Sequence, residues 1–203
     1  MFGFIIAWIM YTGKRMAFCF KATFLLPWAL SYVANSIMWN WLFHGSYGLL
    51  NEVLFRLKLI NDYKSWLADP KAALYVIIFM DIWKNIPFSA LAFYAGLQSI
   101  PLQLFEAAKI DGASNMQMIR YIVLPYLRNL CTIVFLFQAI WALRGFDSIW
   151  TLTRGGFNTE ILNITIYKET FLYLRIGEGA ALAFILFLIT FIIMSSLLKK
   201  QQL

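Results

Sequence analysis

Apolar residues run along this chain in long blocks, and charged residues collect between the blocks. A helix needs about twenty consecutive apolar residues to cross the hydrocarbon core of a bilayer. Five blocks approach that pattern. Phe2 to about Tyr11 is too short to cross. The others run from about Phe18 to Phe43, with Pro27 near the start, then Ala72 to Leu97, Tyr126 to Trp150 and Ile176 to Leu198. Helices satisfy their own backbone groups in lipid, so the pattern predicts an all-α, polytopic helical membrane protein with about five membrane segments. The intervening stretches His44 to Lys71 and Thr151 to Arg175 read as loops. Amphipathic pieces such as Leu49 to Leu59 would lie at the membrane surface.

One polar island differs from the rest. Glu106 to Pro125 reads EAAKIDGASNMQMIRYIVLP. Pro101 can open a helix, because the N–H it lacks would be unpaired in the first turn. Asp111-Gly112 reads as a turn, with Gly112 free to take a left-handed backbone. Ser114 and Gln117 have capping-box spacing for a second short helix. Pro125 ends that helix or begins the next segment. Two short helices at an angle, outside the bilayer, are the expected result. Leu102, Phe105 and Ala108 would offer an apolar face to a groove, with Glu106 meeting a basic group at its rim.

The island resembles the EAA loop of bacterial ABC importer permeases. Glu106, Ala107, Ala108, Asp111, Gly112, Ile122, Leu124 and Pro125 carry the resemblance. Further matches point to the carbohydrate-uptake, maltose-type branch. They are Trp66-Leu67, Asp69-Pro70, Ile82-Trp83-Lys84, Pro87-Phe88, Ala95 to Gln98, Ile100-Pro101, Phe146-Asp147, Leu152-Thr153, Ile166-Tyr167 and Gly177 to Ala183. Gly155-Gly156 stands where that branch has Gly-Gly-Pro, with Phe157 in place of the proline. The resemblance implies a type I ABC importer permease fold, one transmembrane domain over residues 1–203, and an ATPase-coupling loop at about residues 99–125. Members of the family have at least six membrane helices. The chain is therefore expected to be N-terminally incomplete, without the first helix and part of the second.

Composition agrees with a membrane protein: 62% of residues are hydrophobic and 13% charged, and mean hydropathy is +0.70. The formal net charge of +7 is spread over the ends of apolar blocks, which argues against a nucleic-acid surface. Lys14, Arg15, Lys21, Lys109, Arg120, Arg128, Lys199 and Lys200 fall on one side if the helices alternate, and the positive-inside rule assigns that side to the cytoplasm. The EAA loop and the C-terminus are then cytoplasmic, although Arg56, Lys58 and Lys64 fall outside. The basic residues follow the first apolar run, which does not fit a signal peptide. Cys19 and Cys131 sit within apolar runs without metal-ligand spacing. His44 is the single histidine and reads as structural. Neither HExxH nor GxSxG occurs, so no catalytic set is expected. No G-x-x-x-x-G-K-[ST] loop occurs either, so ATP and Mg would be bound by partner subunits.

Polar residues at bilayer depth are costly and usually face a bundle interior or a solute path. Asp81, Asn85 and Phe88 are spaced i, i+4, i+7 in the third block. Gln138, Trp141 and Gly145 are spaced i, i+3, i+7 in the fourth. Two such stripes suit a sugar, whose hydroxyls need hydrogen bonds and whose ring face stacks on aromatic groups. In the maltose-type family the pocket is lined from corresponding positions, which implies a substrate path here. Asp81 and Lys84 can equally form an i, i+3 pair. Arg144 and Asp147 read as a gate pair or a local salt bridge. Gly177, Gly179, Ala180, Ala181 and Ala183 read as a close-packing surface.

The function expected from the resemblance is that of a permease subunit in a binding-protein-dependent ABC importer of a sugar or oligosaccharide. Its partners would be a second homologous permease, two ATPase subunits, an extracytoplasmic solute-binding protein and membrane lipid. It would reside in the bacterial inner membrane. Three alternatives stay open: a related permease for glycerol phosphate or polyamine, an ion-coupled secondary transporter, and a non-transporting membrane subunit.

Overall fold

A computed structural model describes residues 1–13 and 18–199 of the chain. Lys14, Arg15 and Lys200, used above for orientation, lie outside the described residues. The order of elements is α1 (Phe2–Thr12), α2 (Phe18–Ala29), α3 (Tyr32–Leu42), α4 (Leu49–Arg56), α5 (Ala73–Gln98), α6 (Leu102–Ile110) and α7 (Asn115–Met118). A π-helical turn (Ile119–Val123) follows, then α8 (Leu124–Tyr126), α9 (Arg128–Leu143), α10 (Asp147–Leu152) and α11 (Leu162–Tyr167). A second π-helical turn (Lys168–Leu172) leads into α12 (Ile176–Lys199). Every regular element among the described residues is helical, as the apolar blocks predict. Among the described residues, three stretches are long and apolar enough to cross a membrane: Ala73–Gln98, Arg128–Leu152 and Ile176–Leu197.

One expected span is corrected, and another is interrupted within its length. The block Phe18 to Phe43 is two helices, α2 and α3, separated at Leu30 and Ser31. Pro27 lies in the last turn of α2, and Ser31 starts a new helix by accepting a hydrogen bond from the Ala34 amide at 3.1 Å. The block Tyr126 to Trp150 is likewise interrupted, between Leu143 and Asp147. Asn163 donates to the Leu143 carbonyl at 2.6 Å and so closes the end of α9. The expected loop from Thr151 to Arg175 is partly helical, holding the end of α10, α11 and the second π-helical turn.

The chain folds as two compact units. One draws its described residues from Met1–Trp28, Asn85–Ile140 and Met194–Leu203, the other from Ala29–Lys84 and Trp141–Ile193. The first unit has a core of Ala7, Phe93, Leu97, Ile100, Phe105, Met118, Val123, Leu127 and Val134. Helix packing there is close. A Cβ on Gly96 would meet the Leu130 Cδ2 at 2.4 Å, so a side chain there would force the leucine end on α9 to shift. The second unit has a smaller core of Ile77, Ile149 and Ile164. Its α12 meets the second π-helical turn at Gly179, where an added Cβ would lie 2.0 Å from the Thr170 Oγ1. The small-residue stripe therefore packs as expected at Gly179. At Gly177 nothing stands within 4 Å.

Asn51, in the second unit, was not anticipated from the sequence. It is fully buried, and its amide donates to the carbonyls of Lys64 at 2.9 Å, His44 at 3.2 Å and Gly45 at 3.3 Å. Its carbonyl accepts from the Trp66 indole at 2.8 Å and the Lys64 amide at 3.2 Å. One side chain thus closes residues 44–66 into a fixed structure. His44 stacks on Tyr47 and accepts from the Ser46 amide at 3.2 Å, a structural role. Asn51→Ala is expected to cost about 2 kcal/mol, because buried donors and acceptors lose their partners together. Limited proteolysis between residues 57 and 65 should then accelerate, and unchanged cleavage would refute the hub.

Candidate functional site

The segment from Leu102 to Tyr126 is two helical arms around one turn. α6 ends in a Schellman motif: the Ala113 amide bonds to the Ala108 carbonyl at 2.9 Å, and the Gly112 amide to the Lys109 carbonyl at 3.1 Å. That motif needs a left-handed residue, and Gly112 has φ +75°. Ser114 then opens α7 with a complete capping box. The Gln117 amide donates to its hydroxyl at 3.4 Å, and the Ser114 amide donates to the Gln117 side chain at 2.7 Å. Asp111 is the C-cap of α6.

Pro125 does not end the second arm. The helix carries it inside α8, directly after the π-helical turn, where the Leu124 amide bonds back to the Ile119 carbonyl. A wider turn relieves the clash between a proline ring and the preceding turn. The arm breaks only at Leu127, before α9. Tyr126 then donates its hydroxyl to the Ser99 carbonyl at 3.1 Å, tying the end of the segment to the end of α5.

The inward and outward faces of the arms differ from the expected ones. Phe105 is only 5% exposed and lies in the first unit's core, with Tyr11 5.8 Å away between ring centroids. Ala108 and Ile122 pack against the same core. Phe105 and Ala108 therefore hold the arm to the chain and are not the face offered to a groove. All of α6 but Phe105 and Ala108 is exposed, and Leu102, Glu106 and Ile110 recur every four residues on one face. Ile110 is 87% exposed, Met116 71% and Tyr121 69%. Leu124 and Pro125 are also exposed. Apolar surface beside a carboxylate has the chemistry of an interaction site.

The polar residues of the long helices find partners inside each unit. In the first, Gln138 on α9 donates to the Ser89 hydroxyl at 2.6 Å and to the Asn85 carbonyl at 3.3 Å. Phe88 stacks on Trp28 at 5.8 Å and meets Phe137 edge-on at 6.1 Å. In the second, Ser148 donates to the Asp81 carboxylate at 2.8 Å. Lys84 is 2% exposed; its ammonium donates to the Leu30 carbonyl and lies 4.7 Å from the centre of the Tyr32 ring. Asp81 and Lys84 thus each have a partner on another element. Trp141, the last residue of the second stripe still on α9, is half-buried. The stripe does not reach Gly145, because α9 stops at Leu143. No ion pair joins Arg144 to Asp147 among the described residues; Asp147 stands instead in the first turn of α10.

The family model of the binding-protein-dependent transport system inner membrane component matches residues 1–201. The chain belongs to this family. It is the family of the transport system's membrane component, not of its ATPase. A probable ABC transporter permease protein of Pyrococcus horikoshii is 38% identical over 193 residues, covering 94% of this chain and 66% of the relative. The trehalose/maltose transport system permease protein MalF of Thermococcus litoralis is 36% identical over 172 residues, covering 83% of this chain and 57% of the relative. The chain thus spans between about half and two thirds of the lengths of these relatives. In fold it matches a bacterial ABC transporter involved in the import of the acidic polysaccharide alginate, with a TM-score of 0.88 at 23% identity, covering 99% of this chain and 71% of that one. It also matches a bacterial alginate ABC transporter in complex with an alginate pentasaccharide-bound periplasmic protein, with a TM-score of 0.85 at 23% identity, covering 97% and 69%. The all-α importer permease fold expected from the EAA loop is therefore the observed one.

In this permease family chain, Phe157 marks a local departure. It has φ +55°, and Arg154, Gly155 and Asn158 are also left-handed. Proline is locked near −65° and cannot take that conformation, so a Gly-Gly-Pro turn is incompatible with this loop. At Gly112, by contrast, an added side chain would meet nothing within 4 Å, and only the backbone angle is selective. Gly112→Asn should therefore be tolerated, because asparagine takes left-handed angles readily. Gly112→Val should cost about 1–2 kcal/mol. Amide exchange between Ala107 and Gln117 checks this: similar exchange in both variants would contradict the cap.

Proposed function

We propose that this chain is a transmembrane permease subunit of a binding-protein-dependent ABC importer that moves a sugar or oligosaccharide inward. The observation that carries the reading is the segment Leu102 to Tyr126, anchored inside by Phe105 and exposed outside at Glu106 and Ile110. Two ATPase subunits bind ATP and Mg, and one docks on this segment from the cytoplasm. A second homologous permease completes the path, and an extracytoplasmic binding protein delivers the solute. Because Phe105, Ala108 and Ile122 are packed into the first unit's core, movement of the segment is passed to the helices as a rigid-body motion. Glu106, Ala107, Asp111, Gly112, Leu124 and Pro125 shape the docking surface, and Ala108 and Ile122 secure it. Membership of the family leaves an ion-coupled secondary transporter without support.

Glu106→Lys reverses the charge on the docking face while leaving the core untouched. ATPase co-purification and coupled uptake should both fall by about tenfold or more, the effect of roughly 1.4 kcal/mol of docking energy. Full uptake by a stably inserted Glu106→Lys variant would remove the coupling role.

The sugar reading is supported by the trehalose/maltose relative and by the chemistry of two sets of residues that we assign to solute contact, Asn85, Phe88 and Gln138 in the first unit and Asp81, Trp141 and Gly145 in the second. Gln138 already bonds to Ser89 and the Asn85 backbone, so it positions the path and offers its remaining capacity to a solute. Removing a stacking ring or a hydrogen-bonding partner costs roughly 1–3 kcal/mol. Trp141→Ala and Asn85→Ala should each reduce uptake of radiolabelled maltose or trehalose about tenfold, with ATPase partners still bound. Preference for glycerol phosphate, with Trp141→Ala harmless and Lys84→Ala abolishing uptake, would replace the sugar by a phosphate solute.

A further inference from the structure

A pocket of about 240 Å³ lies within the second unit, lined by Arg144, Phe146, Asn163, Ile166, Tyr167 and Phe171. No residue of the expected substrate stripes lines it. Its wall is a continuous aromatic cluster. Tyr167 is 5.1 Å from Phe146, 4.5 Å from Trp150 and 5.4 Å from Phe171 between ring centroids. Asn163 is fixed by its bond to the Leu143 carbonyl at 2.6 Å, and its own side-chain carbonyl remains an acceptor. The Tyr167 hydroxyl has no hydrogen-bond partner among the described residues and can serve as a donor or acceptor.

The Arg144 guanidinium has neither an ion pair nor a hydrogen bond among the described residues. Asp147 makes no ion pair with it among the described residues, and the nearby glutamates are engaged elsewhere. Glu160 pairs with Lys168 at 3.0 Å, and Glu169 and Glu178 pair with Arg175 at 3.6 Å and 3.5 Å. A planar cation left open beside aromatic rings, with one amide and one phenol among the residues that line the same space, suits a ring that carries an anionic group. The rings take the apolar face of the sugar, the amide and phenol take hydroxyls, and the guanidinium forks onto a carboxylate. The volume lies just below the range of about 300–1,000 Å³ usual for ligand pockets, so it fits one sugar unit and not a chain of them.

We infer that this pocket is a binding subsite for a single uronate-type sugar unit, with Arg144 holding its carboxylate and Tyr167 and Phe146 forming its stacking wall. The inference rests on the sugar-importer reading and narrows its substrate to saccharides with an acidic unit. The same anionic chemistry is available from lipid headgroups, so the test separates the two sources.

The test uses the full chain in nanodiscs of phosphatidylcholine, titrated with digalacturonate, with its carboxyl-reduced neutral counterpart and with maltose. Digalacturonate should bind at least tenfold more tightly than the reduced disaccharide. Arg144→Gln should abolish that preference, and Arg144→Lys should retain part of it. Equal affinities, or a preference that survives Arg144→Gln, would overturn the subsite. A preference unchanged by adding phosphatidylglycerol supports it, whereas one abolished by that lipid assigns Arg144 to headgroups and overturns it. Binding of the two neutral saccharides without an acidic preference removes the subsite alone. Failure of all three to bind removes the sugar reading with it.

Discussion

A helix that breaks within or beside a bilayer opens backbone carbonyls that no water can reach, and each costs several kcal/mol if left unpaired. This chain breaks its helices repeatedly, and at several breaks a side chain closes the opened backbone. The Lys84 ammonium takes the Leu30 carbonyl between α2 and α3, at the helix end where the macrodipole favours a cation. Asn163 takes the Leu143 carbonyl at the end of α9. Asn51 takes three carbonyls of the 44–66 stretch. Where a proline interrupts the second arm, a π-helical turn accommodates it without a break. These partners let two units built on long helices carry irregular backbone, and irregular backbone is what forms the pocket and the turn at Gly112.

In the proposed role, the same economy would let the Leu102 to Tyr126 segment pass on movement. Phe105 buries an aromatic ring in a core shared with Leu97, Val123 and Leu127; burial of such a side chain stabilises by about 1.5–3 kcal/mol. The Tyr126 hydroxyl closes the segment onto Ser99. The segment is thus fixed at the middle of its first arm and at its far end, while its outer face stays apolar and exposed. A loosely attached loop with the same outer face could bind a partner but would absorb its motion.

Much of this was legible in the residues. Asp111-Gly112 and the Ser114 to Gln117 spacing are local signals with fixed backbone meanings, and both took the expected form. The length and apolarity of Ala73–Gln98 and Ile176–Lys199 were equally direct. The breaks at Leu30 and Leu143 were not, because hydropathy does not register whether a distant Lys84 or Asn163 can close a helix end. The orientation of α6 was misread for a related reason. Leu102, Phe105 and Ala108 form a proper apolar stripe, but periodicity alone does not say whether a stripe packs on its own chain or on a partner. Asn51 escaped notice because a single asparagine in an amphipathic stretch has no sequence signature of burial. Arg144 and Asp147 sit three residues apart, the spacing of a pair on one helix, yet α9 ends between Arg144 and the residue before it.

The central claim is that the outer face of the Leu102 to Tyr126 segment is the contact through which an ATPase moves this permease. Single cysteines at Ile110 and Met116, in a background with Cys19 and Cys131 replaced, test it by crosslinking to the co-expressed ATPase subunit with a short thiol reagent. The account predicts crosslinks from both positions and none from a control cysteine at Leu59. Crosslinking from Leu59 with Ile110 and Met116 silent would contradict it.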